Sequence, residues 1–265
     1  MSETPVVILT GAGRGIGHAS LIHLLSLPNP PNILAVSRDT AALEELAKSH
    51  DNLEVVALDF SAPYSELKAK IPSDVVNVAI EKWGRIDALL LNHAILDPVA
   101  KIGDSRLESW DLVYRVNLFS NVELIKAALP ELRKAKGRVV MVSSAATSIA
   151  FTGWSAYGSS KAALNHLAFT LAHEEPDVTS VSIAPGIVDT DMQKDIRQGH
   201  GKVMTSQEHA MFMGFKENGI LISPESVGAA LGNMCLNLEK EFSGKYLQWD
   251  DESLSSYANA SIAAC

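Results

Sequence analysis

The sequence predicts an α/β fold: a single domain built on a doubly wound parallel sheet of about seven strands, with helices on both faces. Short apolar runs alternate with longer helix-like segments along the 265 residues, the pattern of successive β-α units. Most of the runs are Val, Ile and Leu without polar alternation, as in strands covered on both sides. No Gly/Ser/Pro-rich linker divides the chain and no internal repeat is present.

The first run, 5–10, leads into Thr10-Gly11-Ala12-Gly13-Arg14-Gly15-Ile16-Gly17. A strand, a glycine-dense turn and a helix in succession suit an anionic ligand. Glycines permit positive φ and close approach, and the helix start offers free N–H groups and a positive dipole end. A tight turn without a ligand is the plain alternative. The second run, 32–37, ends at Ser37 and is followed by Arg38, where a site for NAD carries a carboxylate. Arg14 and Arg38 together suit a 2′-phosphate, hence NADP, although Asp39 offers a ribose acid if the strand runs one residue further. A helical pattern spans 40–50, the run 53–58 leads to Asp59, and a second helical pattern spans 64–83.

The run 86–91 leads to Asn92. A long helical pattern follows over 107–136, with a break expected near Pro130. Within it Asn117 lies among apolar neighbours. Asparagine is a poor interior helix residue and needs a partner or a water there, so it either carries a water chain or is a satisfied core group. The run 137–143 closes on Ser143-Ser144, at the strand end where an open α/β sheet keeps its ligand crevice. A serine there binds a substrate oxygen or simply ends the strand.

Tyr157 and Lys161 stand four apart in a helical segment over 155–175 and share one face. A free phenol titrates near pH ~10, and an adjacent ammonium favours its phenolate, so the pair is expected to act as an acid/base unit. Ordinary surface neighbours have the same spacing. The run 179–183 exits through Pro185-Gly186, with Thr190 just beyond. Segment 189–223 has no clear element and carries Met192, Met204, Met211, Phe212, Met213 and Phe215. A helix over 224–238 and a strand over 245–248 complete the pattern, and the small polar residues from Asp251 onward are expected to be loosely ordered.

A net charge of −9 favours neither nucleic acid nor an anionic membrane. Two cysteines, Cys235 and Cys265, are too few for a disulfide framework and point to a reducing compartment, the cytoplasm. No secretory pattern and no run of membrane-spanning length is seen. The eight histidines form no ligand cluster, so no metal is expected. Segments 107–129 and 162–172 carry more apolar residues than one buried face needs, which suggests a homodimer.

These residues together resemble the short-chain dehydrogenase/reductase family, from Pro5 to about Trp249. Thr10-Gly11, Gly15 and Gly17 match its cofactor turn, and Asp59 its adenine-contacting position. Asn117, Ser144, Tyr157 and Lys161 match its catalytic tetrad, with thirteen residues from Ser144 to Tyr157. Pro185-Gly186-Ile187-Val188 and Thr190 match the segment that binds the nicotinamide amide. One stretch departs. The family's Asn-Asn-Ala-Gly falls on Leu91-Asn92-His93-Ala94, where one asparagine remains and His93 puts a titratable ring near the ribose side. Stretches 154–166 and 184–193 are similar to the fungal benzil-reductase branch, which is related to sepiapterin reductases.

The resemblance implies a Rossmann-type, NADPH-dependent oxidoreductase acting on CH–OH/C=O. It reduces a ketone or diketone, such as a benzil-like aromatic diketone to the hydroxyketone. Sepiapterin-type reduction of a pteridine carbonyl is the alternative, and a non-catalytic NADP(H)-binding regulator is the alternative of another class. NADPH contacts are expected from Gly11, Arg14, Gly15, Ile16, Gly17, Ser37, Arg38, Asp59, Asn92, Tyr157, Lys161, Pro185, Gly186, Val188 and Thr190. Ser144 and Tyr157 would grip the carbonyl oxygen and Tyr157 would supply the proton. Lys161 would hold the nicotinamide ribose and keep the tyrosine acidic, and Asn117 would join Lys161 to solvent through water. The substrate wall is expected from Ile95, Ile149, Phe151, Trp154, Ile187, Met192 and Met211, where adaptable Met side chains suit bulky ketones.

Overall fold

The structure, a computed structural model, describes residues 4–258. Seven strands form one sheet in the order β3-β2-β1-β4-β5-β6-β7: β1 (Val6–Thr10), β2 (Asn32–Ser37), β3 (Leu53–Ala57), β4 (Ala88–Leu91), β5 (Arg138–Val142), β6 (Thr179–Ala184) and β7 (Tyr246–Gln248). Every pairing is parallel. The strands match the apolar runs to within two residues at either end. The chain order reverses between β1 and β4, and the carboxyl ends of strands at such a switch open a crevice.

The helices are α1 (Gly15–Leu25), α2 (Ala41–Ala47), α3 (Tyr64–Lys70), α4 (Asn77–Trp83), α5 (Leu107–Tyr114), α6 (Ser120–Ala135), α7 (Ser155–Glu174), α8 (Asp191–Gly199), α9 (Ser206–Glu217), α10 (Pro224–Asn237) and α11 (Ser255–Ala258). Side chains alternate across the strands and build a core on each face. Ile8, Leu34, Leu89 and Val139 belong to one cluster with α7's Leu164, and Leu9, Ile33, Leu90 and Val140 to the other with Leu21 of α1 and Leu231 of α10. Burying each Leu or Ile is worth about 1.5–3 kcal/mol, which is why the strands show no polar face.

Four expectations change. The helix over 107–136 does not break at Pro130, which lies inside α6. Pro130 is exposed, so water can take the carbonyl its missing N–H leaves free. The interruption comes earlier, as a π-helical turn over Arg115–Phe119. The pattern over 64–83 is likewise α3 and α4 joined by a π turn over Ile71–Val76 that holds Pro72. Segment 189–223 contains α8 and α9, and its two ends are joined by a bridge between Val188 and Ile222. The segment from Asp251 is docked rather than loose as far as Ala258, because Leu254 and Tyr257 bury their side chains in the second core. The rest of it, with Cys265, lies outside the described residues.

Candidate active site

A cleft of about 620 Å³ opens above the carboxyl ends of the strands. The glycine turn forms one wall through Gly11, Gly13, Arg14, Gly15 and Ile16. Ser37, Arg38 and Asp39 lie at the end of β2, Asp59 and Phe60 after β3, and Asn92, His93, Ala94 and Ile95 after β4. Tyr157 and Lys161 of α7, then Pro185, Thr190 and Met192, complete the lining. Gly17, Asn117, Ser144, Gly186 and Val188 do not line it.

Their positions explain why. Gly17 is a packing glycine: a Cβ there would sit 2.2 Å from the Gly11 carbonyl oxygen, so it lets α1 lie against the strand end. Asn92 acts from beneath the turn, its amide donating to the Thr10 and Gly11 carbonyls at 3.3 and 3.2 Å. Gly186 takes φ +75° at the turn after β6, a region costly for other residues. Val188 is buried in the bridge that closes the base of segment 189–223.

Asn117 finds the partners its position demanded. Its Oδ1 accepts the Ile95 N–H at 2.9 Å, and its Nδ2 donates to the Ile95 carbonyl at 2.9 Å and to Ser160 Oγ at 3.1 Å. It thus ties the loop after β4 directly to α7. Ser144 follows β5 in extended conformation, and its Oγ accepts the Ala146 N–H at 3.1 Å.

The two arginines do not converge. Arg14 Nη1 pairs with Asp191 Oδ2 at 3.0 Å across the cleft, while Arg38 is exposed and makes no ion pair or hydrogen bond among the described residues. Asp39, the rival ribose acid, accepts the Ala41 N–H at 3.3 Å through Oδ1.

The acid/base pair differs from expectation. Burial raises the Tyr157 phenol above its ordinary value, and a hydrogen bond to Ser144, rather than the amine, pulls it down. Lys161 is 1% exposed, its Nζ donates to the Val142 carbonyl at 2.6 Å, and burial lowers its pKa to about 7. A buried amine that half-sheds its proton near neutrality is a weak source of charge for its neighbour. His93 is also not the titratable group its sequence position suggested. It bonds Thr10 Oγ1 through Nδ1 at 2.7 Å and Ser120 Oγ through Nε2 at 2.8 Å, and its ring stacks on Phe60 at 3.7 Å. Burial first, and the nearby Lys161 charge second, push its pKa down to about 3.

The substrate-side residues divide. Trp154 and Tyr157 join a separate cluster with Leu96, Ile196, Met204 and Phe212, against which Phe151 and Met192 pack. Phe151 stands 4.7 Å from Trp154, and Phe212 5.4 Å from both. Trp154 meets the Tyr157 ring edge-on at 5.9 Å. Ile149 and Met211 are 52% and 39% exposed and stand outside this cluster, as does the half-buried Ile187. Met211, expected in the substrate wall, is thus replaced by its buried neighbour Phe212. The three-residue step from Phe212 to Phe215, both in contact on α9, was the available signal.

A sequence model described as short chain dehydrogenase matches residues 5–201. The chain belongs to the short-chain dehydrogenase family. Members of this family are oxidoreductases that bind a nicotinamide cofactor. An uncharacterized oxidoreductase of Saccharomyces cerevisiae is 38% identical over 254 residues, covering 95% of this chain and 98% of the yeast protein. A benzil reductase of the (S)-benzoin-forming type, also from Saccharomyces cerevisiae, is 36% identical over 94% of this chain and 97% of its own. The crystal structure of a Saccharomyces cerevisiae short chain dehydrogenase/reductase superposes with TM-score 0.89 at 39% identity, covering 96% of this chain and 99% of that one.

The cleft fits the family's cofactor. Gly11 and Gly15 take φ +67° and +56°, and a Cβ on Gly13 would fall 2.6 Å from Ser37 Oγ, so the turn keeps this shape against its neighbours only with glycine at these positions. Among the described residues no helix is long and apolar enough to cross a membrane.

Proposed function

We propose that this dehydrogenase is an NADPH-dependent carbonyl reductase whose substrates are ketones and diketones carrying aromatic groups. The observation that carries the reading is the placement of Tyr157 between the cleft and the aromatic cluster of Trp154, Phe151 and Phe212. When bound, the reduced nicotinamide supplies hydride. Tyr157 then donates its proton to the carbonyl oxygen as negative charge develops there, and a phenol held protonated by burial is suited to act as that acid. Ser144 donates a hydrogen bond to the same oxygen and orients it. Lys161, anchored on the Val142 carbonyl, would hold the cofactor's ribose and returns a proton to Tyr157; its pKa of about 7 suits that exchange at neutral pH. Asn117 keeps the Ile95 loop fixed against α7 and serves the water path behind Lys161.

The unpaired Arg38 supports NADPH over NADH, since a guanidinium matches a 2′-phosphate. Similarity to a benzil reductase supports an aromatic diketone. The exposed apolar side chains Phe119, Val122 and Phe169 on the outer helices support a homodimer, and a buried free thiol at Cys235 suits the cytoplasm. The deciding experiment is NADPH consumption against aromatic diketones, pteridines and simple aldehydes, with the chirality of each alcohol determined. Turnover of benzil-like diketones is expected to exceed that of the other two classes. No consumption with any carbonyl would overturn the reading.

A further inference from the structure

The last strand reaches back into the catalytic site. Tyr246, the first residue of β7, donates its hydroxyl to the Ser144 carbonyl at 3.0 Å. The strand brings it there by register: Tyr246 pairs with Ser182 of β6, which pairs with Met141 of β5, three residues before Ser144. The same carbonyl accepts the Thr147 N–H at 3.2 Å, and the Ser144 hydroxyl accepts the Ala146 N–H. Ser144 is therefore pinned at both its carbonyl and its side chain, and its remaining O–H is left to the Tyr157 phenol. Tyr246 lies beyond residues 5–201, the part that matches the family.

We propose that Tyr246 is a positioning residue for the reaction: it fixes the Ser144 peptide so that the serine hydroxyl stays aligned on Tyr157 and on the substrate oxygen. The assignment rests on the carbonyl-reductase reading above. Ser144 follows a strand and precedes a single 3-10 turn, Ala145–Thr147, so no long helix holds it from that side. The hydroxyl of Tyr246 supplies the missing constraint from an edge strand. Its closeness to the acid is also felt electrostatically, since an ionised Tyr246 raises the Tyr157 phenol.

The test is a cycle of Tyr246→Phe, Ser144→Ala and the double variant in the full chain. Tyr246→Phe keeps the ring and removes only the hydroxyl. It is expected to lower kcat about tenfold, the worth of one net hydrogen bond, with KM for NADPH changed less than about twofold. In the Ser144→Ala background the same change should cost less than about twofold, because partners acting through one another are not additive. Equal losses on both backgrounds, or an unchanged kcat, would overturn the proposal. A second readout needs no turnover: the phenolate absorbance titration of Tyr157, assigned by difference from Tyr157→Phe proteins. Tyr246→Phe removes the direct influence of Tyr246 on both backgrounds, so the difference between them is the readout: the titration should end higher, relative to its parent, when Ser144 is present than when Ser144 is alanine, and equal movement on the two backgrounds counts against Tyr246. If wild-type protein reduces no carbonyl, the reductase reading fails, and this titration still decides the role of Tyr246.

Discussion

The site has two ends made of different material: the cleft, and the separate ring cluster that meets it at Tyr157 and Met192. The nucleotide end is backbone: three glycines of one turn line it, and Gly17 lies so close beneath that a Cβ would overlap the Gly11 carbonyl. The other end is made of rings. Phe151, Trp154 and Phe212 come from a loop, a helix boundary and α9, and meet with centroids 4.7–5.4 Å apart. Backbone packed against backbone has no rotamers to rearrange, so one added methyl forces the chain to move. Rings resting on Met192, Met204 and each other can repack around a changed neighbour. In the proposed reading, the rigid parts would hold an invariant cofactor and the adjustable parts a variable substrate.

Tyr157 stands where the two ends meet, and its removal should have the largest effect. Tyr157→Phe is expected to lower kcat about 10²–10⁴-fold, the range for a lost general acid, while NADPH affinity by fluorescence titration stays nearly unchanged. Retained turnover would detach the acid from both ends. The contrast itself is tested by a matched pair. Gly17→Ala should cost about 3 kcal/mol or more in denaturant unfolding, because no relaxed position exists for the new atom. Phe212→Leu should cost less than about 1.5 kcal/mol, because it keeps most of the buried volume. If the leucine proves the more damaging of the two, the division between rigid and adjustable ends is wrong.

A third measurement tests the floor between them. His93 takes a proton near pH 6.5 when unfolded but resists until about 3 when folded. The stability tied to its neutral ring is therefore present above pH 6.5 and is lost as pH falls toward 3. Linkage puts that loss at about 2 kcal/mol between pH 7 and pH 5. In His93→Gln this share of the pH dependence should vanish from unfolding curves recorded at the two values. An unchanged slope would mean that the ring titrates freely and does not brace Thr10 against Ser120.

What the sequence revealed follows the same division. The seven strands and the glycine turn were legible because each is a local pattern: apolar runs of limited length, then glycines in a row. The Tyr157–Lys161 step was legible because it lies within one helix turn. The ring cluster was not, since Phe151 and Phe212 are brought together by α9 folding back from segment 189–223, and no local spacing encodes that. The Arg14–Asp191 pair spans 177 residues of sequence and hid for the same reason. The buried states of His93 and Lys161 also escaped, because a pKa depends on what covers the group rather than on what precedes it in the chain.

The smallest effect concerns charge at the nucleotide end, where backbone alone cannot choose between cofactors. Arg14 is held by Asp191 in a pair whose side chains are 67% and 57% exposed, so that contact is worth at most about 1 kcal/mol and does not lock the guanidinium away. Among the described residues Arg38 has no competing partner, and it stands beside Ser37, while Asp39 is turned toward the Ala41 N–H. Arg38→Ala should therefore raise KM for NADPH about tenfold, the loss of one charge-assisted hydrogen bond, and leave KM for NADH nearly unchanged. Arg14→Ala should do less to NADPH. The reverse ranking would move cofactor choice from the end of β2 to the glycine turn, and would mean that the Asp191 pair opens when the nucleotide binds.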